Sequence, residues 1–165
     1  LSGQDKHPPH QVVIGLGSNI DPEKNLREAF RALQKHTQVL KSSGVWQNPA
    51  VGSDGPDYLN AAVLVSTAMD LNSLKSQVLC RIEQKLDRVR RSDKNADRTI
   101  DLDILIVDGI PLDEELWTRA HVSVPAAEVA PAVRHPDSGE KLQEAARRLL
   151  PAHDFKLLSD LSLGP

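Results

Sequence analysis

Asp101 and Asp103 stand two positions apart in Thr99-Ile100-Asp101-Leu102-Asp103-Ile104-Leu105. On a strand, side chains two apart share a face, and their Cα atoms lie roughly 6–7 Å apart. Ile100, Leu102, Ile104 and Ile106 then enter a core together, and the two carboxylates leave it together. Carboxylates held so close repel each other unless a cation sits between them. Magnesium suits such a place, because it takes one or two carboxylates and completes its shell with water and substrate phosphates. Two ions about 3.5–4 Å apart could bridge the pair. A strand with one solvated face shows the same alternation without any metal. The neighbours favour chemistry. Arg98 lies just before the strand, and Arg88 and Arg90 end the preceding helical stretch. Carboxylates for a metal beside guanidiniums for phosphate oxygens are the groups phosphoryl transfer needs.

Other residues offer parts of a binding site. Tyr58 has a face for stacking, and Asn60 presents both a donor and an acceptor; on a strand they point to the same side. A cross-strand tyrosine with an asparagine closing a local turn would look the same. Gly15-Leu16-Gly17-Ser18-Asn19 resembles a phosphate loop but fits neither common pattern: no Lys-Ser or Lys-Thr follows, and position 20 is Ile. Its simpler role is a tight turn at a strand end, held by Ser18 and Asn19. Glu83 follows the apolar Ile82 and reads equally as a helix-surface charge. Cys80 reads as a small core residue. No histidine pair has zinc spacing.

Bulk properties set the frame. The chain has 165 residues, enough for one domain with one core; 39% are apolar and 26% charged, ordinary values for a globular protein. Residues 1–10 are polar with two prolines and no apolar stretch, so they read as a loose arm rather than a signal peptide, with one domain over 11–165. One cysteine excludes an internal disulfide framework and points to a reducing cytoplasm. No apolar run approaches the roughly 18 residues of a membrane helix, so no membrane partner is expected. The net charge is −3, which gives no general attraction to nucleic acid. Locally, Arg81, Lys85, Arg88, Arg90, Arg91, Lys94 and Arg98 outnumber Glu83, Asp87, Asp93 and Asp97. Such a field suits a polyanion, and cations also simply favour a helix C-terminus.

The elements that must position these groups follow from periodicity. Val12-Val13-Ile14 reads as a buried strand entering the Gly15–Asn19 turn. Asp21-Pro22 marks a helix start, and Leu26, Ala29, Phe30 and Leu33 carry the helix to about His36. Residues 39–47 form a second strand, 48–57 a loop and 58–67 a third strand. A longer helix starts near Asn72 with an apolar stripe at Leu74, Val78, Ile82, Leu86 and Val89. After a polar break at 92–97, residues 99–107 form the clearest strand. Beyond it come a short helix at 113–119, a strand or turn at 122–124, a helix turn at 126–129, a turn at 135–139 and a helix at 141–150. The order β-α-β-β-α-β defines an α+β, ferredoxin-like core, with an antiparallel sheet and a C-terminal helical extension.

Together, Gly15-Leu16-Gly17-Ser18-Asn19, Pro56-Asp57-Tyr58-Leu59-Asn60-Ala61-Ala62, Glu83 with Arg88-Val89-Arg90, and Arg98-Thr99-Ile100-Asp101-Leu102-Asp103 resemble the 6-hydroxymethyl-7,8-dihydropterin pyrophosphokinase family over residues 12–150. The resemblance implies a three-layer α/β/α sandwich and a reaction of folate synthesis. A hydroxymethyl-dihydropterin takes a diphosphate from ATP, AMP leaves, and two Mg²⁺ ions attend the triphosphate. It further implies metal ligation by Asp101 and Asp103, and catalytic roles for Arg88, Arg98, Asp101, Asp103 and His121. Nucleotide contacts fall to Glu83, Arg88, Arg90, Arg98, Ile104 and Arg119. Pterin contacts fall to Asn48, Pro49, Val51, Tyr58 and Asn60. Residues 48–57 and 91–97 look like the family's mobile loops, whose closure would exclude water. The partners are the two small substrates, and a monomer is expected.

The chain departs from the family in two places. The family often has Trp-Gly-Pro before the arginine, where Asn95-Ala96-Asp97 stands here, removing an aromatic lid residue. The family's Val-Pro-His segment, a spacer and Arg-(Gly/Ala)-Phe-Val-Leu-x-Pro-Leu-x-Glu are compressed into Trp117-Thr118-Arg119-Ala120-His121-Val122-Ser123-Val124-Pro125-Ala126-Ala127-Glu128, with Arg119 on the family's arginine. His121 then either occupies the position of the stacking phenylalanine or replaces the histidine near the phosphates, with Trp117 or Val122 as apolar filler. A non-catalytic nucleotide-binding module derived from the family is the alternative. A nucleic-acid-binding sheet would need aromatics, which are only 3% of this chain.

Overall fold

The structure is a computed structural model that describes residues 7–50, 52, 54–89, 92, 96–152 and 154–164. Its sheet contains β1 (His10–Ser18), β2 (Gln38–Ser42), β3 (Trp46–Asn48), β4 (Tyr58–Thr67), β5 (Asp101–Val107), β6 (Ile110–Pro111) and β7 (Lys156–Leu157). The spatial order is β6-β5-β1-β4-β3-β7, with β2 also on β4, and the pairings are antiparallel. Taking β2 and β3 as one interrupted strand, this is the interleaved order of a ferredoxin-like α+β core.

Helices cover both faces. One face carries Val12, Ile14 and Leu16 of β1 and Leu59, Ala61, Val63 and Val65 of β4. Against it pack α1 (Pro22–His36), through Leu26, Ala29, Phe30 and Leu33, and a helical stretch made of α2 (Leu71–Ser73), a π segment (Leu74–Leu79) and α3 (Cys80–Lys85). The other face is covered by α4 (Glu115–Thr118), α5 (Ala120–Val129) and α6 (Leu142–Leu149), which bury Leu116, Trp117, Ala120, Val124, Leu142 and Ala145. The architecture is thus an α/β/α sandwich.

Several local expectations are corrected. Gly15 to Ser18 do not turn; they continue β1. His10, read as part of the arm, is the first residue of that strand, and its Nδ1 bonds Asp108 at 2.7 Å. Residues 39–47 are two strands, because the chain leaves the sheet between Ser42 and Trp46. Asp21 precedes α1 in a left-handed conformation, φ 40°, without a side-chain capping bond. Residues 122–124 belong to α5, which also contains Pro125. A proline ring usually interrupts a helix, yet this helix runs on through it to Val129.

Two irregularities matter for the site. In the second helix, the π segment adds a residue to the turn, so Leu79 and Glu83 join Val78 and Ile82 on the buried face. The helix then stops at Lys85. Asp87, at φ 60°, reverses the chain, Arg88 N–H bonds the Glu83 carbonyl at 3.0 Å and Asp87 N–H bonds the Gln84 carbonyl at 3.1 Å. This is a Schellman ending with Asp where Gly is usual. Val89, expected on the apolar stripe, is therefore 66% exposed. In β5, Ile14 pairs with Ile104 but Val13 pairs with Ile106, which leaves Leu105 as a bulge. The alternation flips there. Ile100 and Leu102 face α1 as expected, whereas Leu105 and Ile106 join the opposite core, on the side of the two aspartates.

Candidate active site

The face under α4–α6 is not covered along its whole length. Where the helices stop short, a cavity of about 380 Å³ opens over the ends of β1, β4 and β5. Gly15 and Gly17 line it from β1, Tyr58 and Asn60 from β4, Asp101, Asp103 and Leu105 from β5, and Asn48 from β3. Arg119, His121 and Val122, at the start of α5, form the opposite wall.

Strand register builds this arrangement. Gly17 pairs with Asn60 on one side and with Asp101 on the other, and Gly15 pairs with Asp103. Because Gly17 has no side chain, bare backbone separates an amide from a carboxylate. A Cβ on Gly17 would lie 3.2 Å from Asn60 Oδ1, and one on Gly15 3.0 Å from Leu105 Cδ1. The glycines read as turn residues are thus cavity floor, a role that only the register reveals.

Asp101 and Asp103 do share a face and a cavity, as alternation required. Their partners differ. Arg88 Nη1 donates to Asp101 Oδ1 at 2.7 Å, and Arg98 Nη1 donates to Oδ2 at 2.7 Å. Arg88 also donates to Glu83, which is only 4% exposed. Glu83 is therefore no helix-surface charge; the π segment turns it inward to hold Arg88. Burial works against the Arg88 guanidinium, yet Asp101 and Glu83 raise its pKa further above the usual arginine value. At Asp103 the opposing charge of Arg88 does not make up for burial and the neighbouring acids. Water reaches it from the cavity, but the surrounding wall strips part of its hydration, and the charges of Asp101 and Glu83 add to that; its carboxyl is pushed up to about 6.

Arg98 is placed from below. Asn19, 2% exposed, accepts the Arg98 N–H on Oδ1 at 2.7 Å, donates to Asp97 at 2.8 Å and bonds the Arg98 carbonyl through its own N–H at 3.1 Å. Ser18 Oγ donates to the Thr99 carbonyl. At the other end of the cavity, Asn60 Nδ2 donates to Asn48 Oδ1, and Asn48 Nδ2 donates to the Pro49 carbonyl at 3.0 Å. The Tyr58 hydroxyl donates to the Ala96 carbonyl at 3.4 Å, and desolvation raises its pKa, with Arg98 opposing.

Of the residues expected at a site, Asn48, Tyr58, Asn60, Asp101, Asp103, Arg119 and His121 line this one cavity, and Glu83, Arg88 and Arg98 join it through Asp101. Ile104 packs toward the α1 core instead, and Pro49 is exposed beside Asn48. Val51, Arg90 and Asn95 lie outside the described residues. Trp117 is core and meets His135 edge-on, so Val122 is the apolar neighbour of His121 in the wall. Asp113 and Glu115 also line the cavity and were not anticipated. Neither sits in a periodic pattern, so no signal singled them out.

Two carboxylates, one of them held by two arginines, and a tyrosine–asparagine pair meet at one cavity of a ferredoxin-like sheet, the set of groups that phosphoryl transfer to a planar heterocycle calls for. The 7,8-dihydro-6-hydroxymethylpterin-pyrophosphokinase family model matches residues 13–131. A 2-amino-4-hydroxy-6-hydroxymethyldihydropteridine pyrophosphokinase of Synechocystis is 35% identical over 144 residues, covering 81% of this chain and 73% of that protein. One from Methylorubrum extorquens is 34% identical over 154 residues, covering 86% and 95%. Among solved structures, wild-type Plasmodium falciparum HPPK-DHPS with pteroate aligns with a TM-score of 0.68 at 12% identity. That alignment covers 90% of this chain and 43% of the other, so the chain spans less than half of it and the likeness concerns the fold. The chain belongs to the 7,8-dihydro-6-hydroxymethylpterin-pyrophosphokinase family, the ATP-dependent diphosphotransferases of folate biosynthesis.

Proposed function

We propose that this cavity is where the chain transfers a diphosphate from ATP to the hydroxymethyl group of 6-hydroxymethyl-7,8-dihydropterin. The observation that carries the reading is the row Asn60–Gly17–Asp101, which sets a heterocycle-reading amide and an arginine-held carboxylate on one uninterrupted floor. The pterin hydroxyl oxygen bonds to the β-phosphorus. The bond from that phosphorus to the oxygen bridging the α-phosphorus breaks, AMP leaves with that oxygen, and the hydroxyl proton is released. Little covalent help is needed beyond positioning and neutralisation of charge.

Asn60, with Asn48, would read the polar edge of the pterin, and Tyr58 would offer it a stacking face. Pro49 and Val51 would complete that end. Arg88 and Arg98 would exchange part of their bonding to Asp101 for phosphate oxygens as the triphosphate enters. Arg119 and Arg90 would hold the nucleotide, and Glu83 would act on it through Arg88. His121 shares a wall with Arg119 and Val122, within reach of either substrate. Loops 48–57 and 91–97 would close over both.

Magnesium fits the donors present. The charges of Asp101 and Glu83 outweigh the opposing charge of Arg88 at Asp103, and its raised pKa reports a place that favours added positive charge. Asp101 and Asp103 would hold two ions. Among the described residues no group of three or more His, Cys, Asp or Glu could hold a metal unaided, in keeping with ions that substrate phosphates complete. When bound, magnesium supplies charge neutralisation to the phosphate oxygens.

No helix among the described residues is long and apolar enough to cross a membrane. A cytoplasmic monomer acting on small molecules, without nucleic acid, is the setting this reading expects. The test is the product: with ATP, Mg²⁺ and the hydroxymethyl-dihydropterin, purified protein should release AMP and a pterin diphosphate. Release of ADP, or no consumption of ATP, rejects the reading. Asp101→Asn and Asp103→Asn should each lose turnover while remaining folded.

A further inference from the structure

We propose that Glu128, Trp46 and Phe155 form a clasp that sets the Asn48–Asn60 pair, with the C-terminal tail as its outer half; this rests on the pterin site put forward above. Trp46 pairs in register with Asn60, so its indole extends the row that continues through Gly17 to Asp101. Asn48, two residues further along β3, accepts the Asn60 amide. β3 is only three residues long and meets β4 at Trp46, Gln47 and Asn48 alone.

Contacts from two further directions brace it. Trp46 stacks on Phe155, with ring centroids 5.1 Å apart and planes 9° from parallel. Trp46 Nε1 donates to Glu128 Oε1, and the other Glu128 oxygen accepts the Gly44 N–H at 3.2 Å. β7 adds a strand outside β3, and Leu158 N–H bonds the Val45 carbonyl at 2.9 Å. The tail then buries Leu161 and Leu163 in the α1 core, so it passes around the sheet edge from one helical layer to the other. Glu128 belongs to α5, the helix that presents His121 and Val122 to the cavity. One carboxylate thereby ties the strand carrying Asn48 to the helix forming the facing wall. None of the three residues lines the cavity, so each acts through Asn48 and Asn60. The family match ends at residue 131, well before the tail.

Glu128→Ala, Phe155→Ala and Trp46→Phe test the clasp in the full chain, by steady-state kinetics with each substrate varied and by side-chain amide signals of ¹⁵N-labelled protein. For the two alanine variants the pterin KM should rise about five- to tenfold, while the ATP KM and kcat stay within about twofold. The Asn48 and Asn60 amide signals should shift. Trp46→Phe keeps a ring on Phe155 and loses only the N–H donor, so it should fall between wild type and Glu128→Ala. A lowered melting temperature with unchanged pterin KM and amide signals would overturn the proposal, as would a loss spread evenly over both KM values and kcat. If wild-type protein makes no AMP with the pterin, the functional reading fails instead. The ligand-free amide signals then judge the clasp alone: shifted signals uphold it and unshifted ones reject it.

Discussion

Arg88 is fastened to Asp101 at 2.7 Å by the same nitrogen that donates to Glu83. The guanidinium therefore serves as a hinge pin between the end of α3 and the start of β5. Both side chains of the Arg88–Glu83 pair are largely buried, so deleting the cation leaves the carboxylates poorly compensated.

Arg88→Met should lower stability by about 3 kcal/mol and abolish AMP release. Arg88→Lys should recover much of the stability, because one ammonium can also donate to both carboxylates, but little of the rate, because it has no second nitrogen to offer a phosphate oxygen. Urea unfolding and the product assay separate the two effects.

Asp103 predicts an unusual pH response. Its folded carboxyl titrates near 6, above the ordinary value of 3.8. Between those values the folded state holds a proton that the unfolded state has lost, so this group's contribution to stability is full below pH 3.8 and is lost as pH rises through about 6. Water reaches the carboxylate, so the effect should be about 1 kcal/mol rather than the full equivalent of the shift. Asp103→Asn should be more stable than wild type at pH 7.5, and the advantage should vanish near pH 4. Equal differences at both values would contradict this assignment.

Gly17→Ala needs no unusual backbone angle but places a methyl group 3.2 Å from Asn60 Oδ1. Asn60 must give way by a few tenths of an ångström. The pterin KM should rise several-fold with the ATP KM unchanged, and isothermal titration with the pterin alone should show the same loss.

Asn19→Ala removes a buried amide that holds Asp97 and Arg98. It should cost about 2 kcal/mol and reduce kcat more than either KM, since Arg98 would no longer be aimed at Asp101. Thermal melts and initial rates check both parts.

The sheet and its acids were legible because strand alternation is short-ranged: Asp101, Asp103, Tyr58 and Asn60 fall where a period of two puts them. What was hidden depends on single inserted residues or on partners far away in the chain. The bulge at Leu105 leaves no mark in composition, yet it redirects Ile106. The π segment does the same for Glu83, turning an apparent surface charge inward. Pro125 lies within α5 in a buried setting, although a proline ring usually interrupts a helix. The floor role of Gly15 and Gly17 appears only when β1 is laid between β4 and β5.

The bulge has one more effect. Before Leu105, β5 sends acids into the cavity and isoleucine and leucine toward α1; after it, Leu105 and Ile106 fill the layer beneath α5. A slip of the strand by one place would drive two carboxylates under α1 and strand apolar side chains in water. The extra residue thus works like a ratchet tooth, giving the strand a single position in which both of its halves find suitable surroundings.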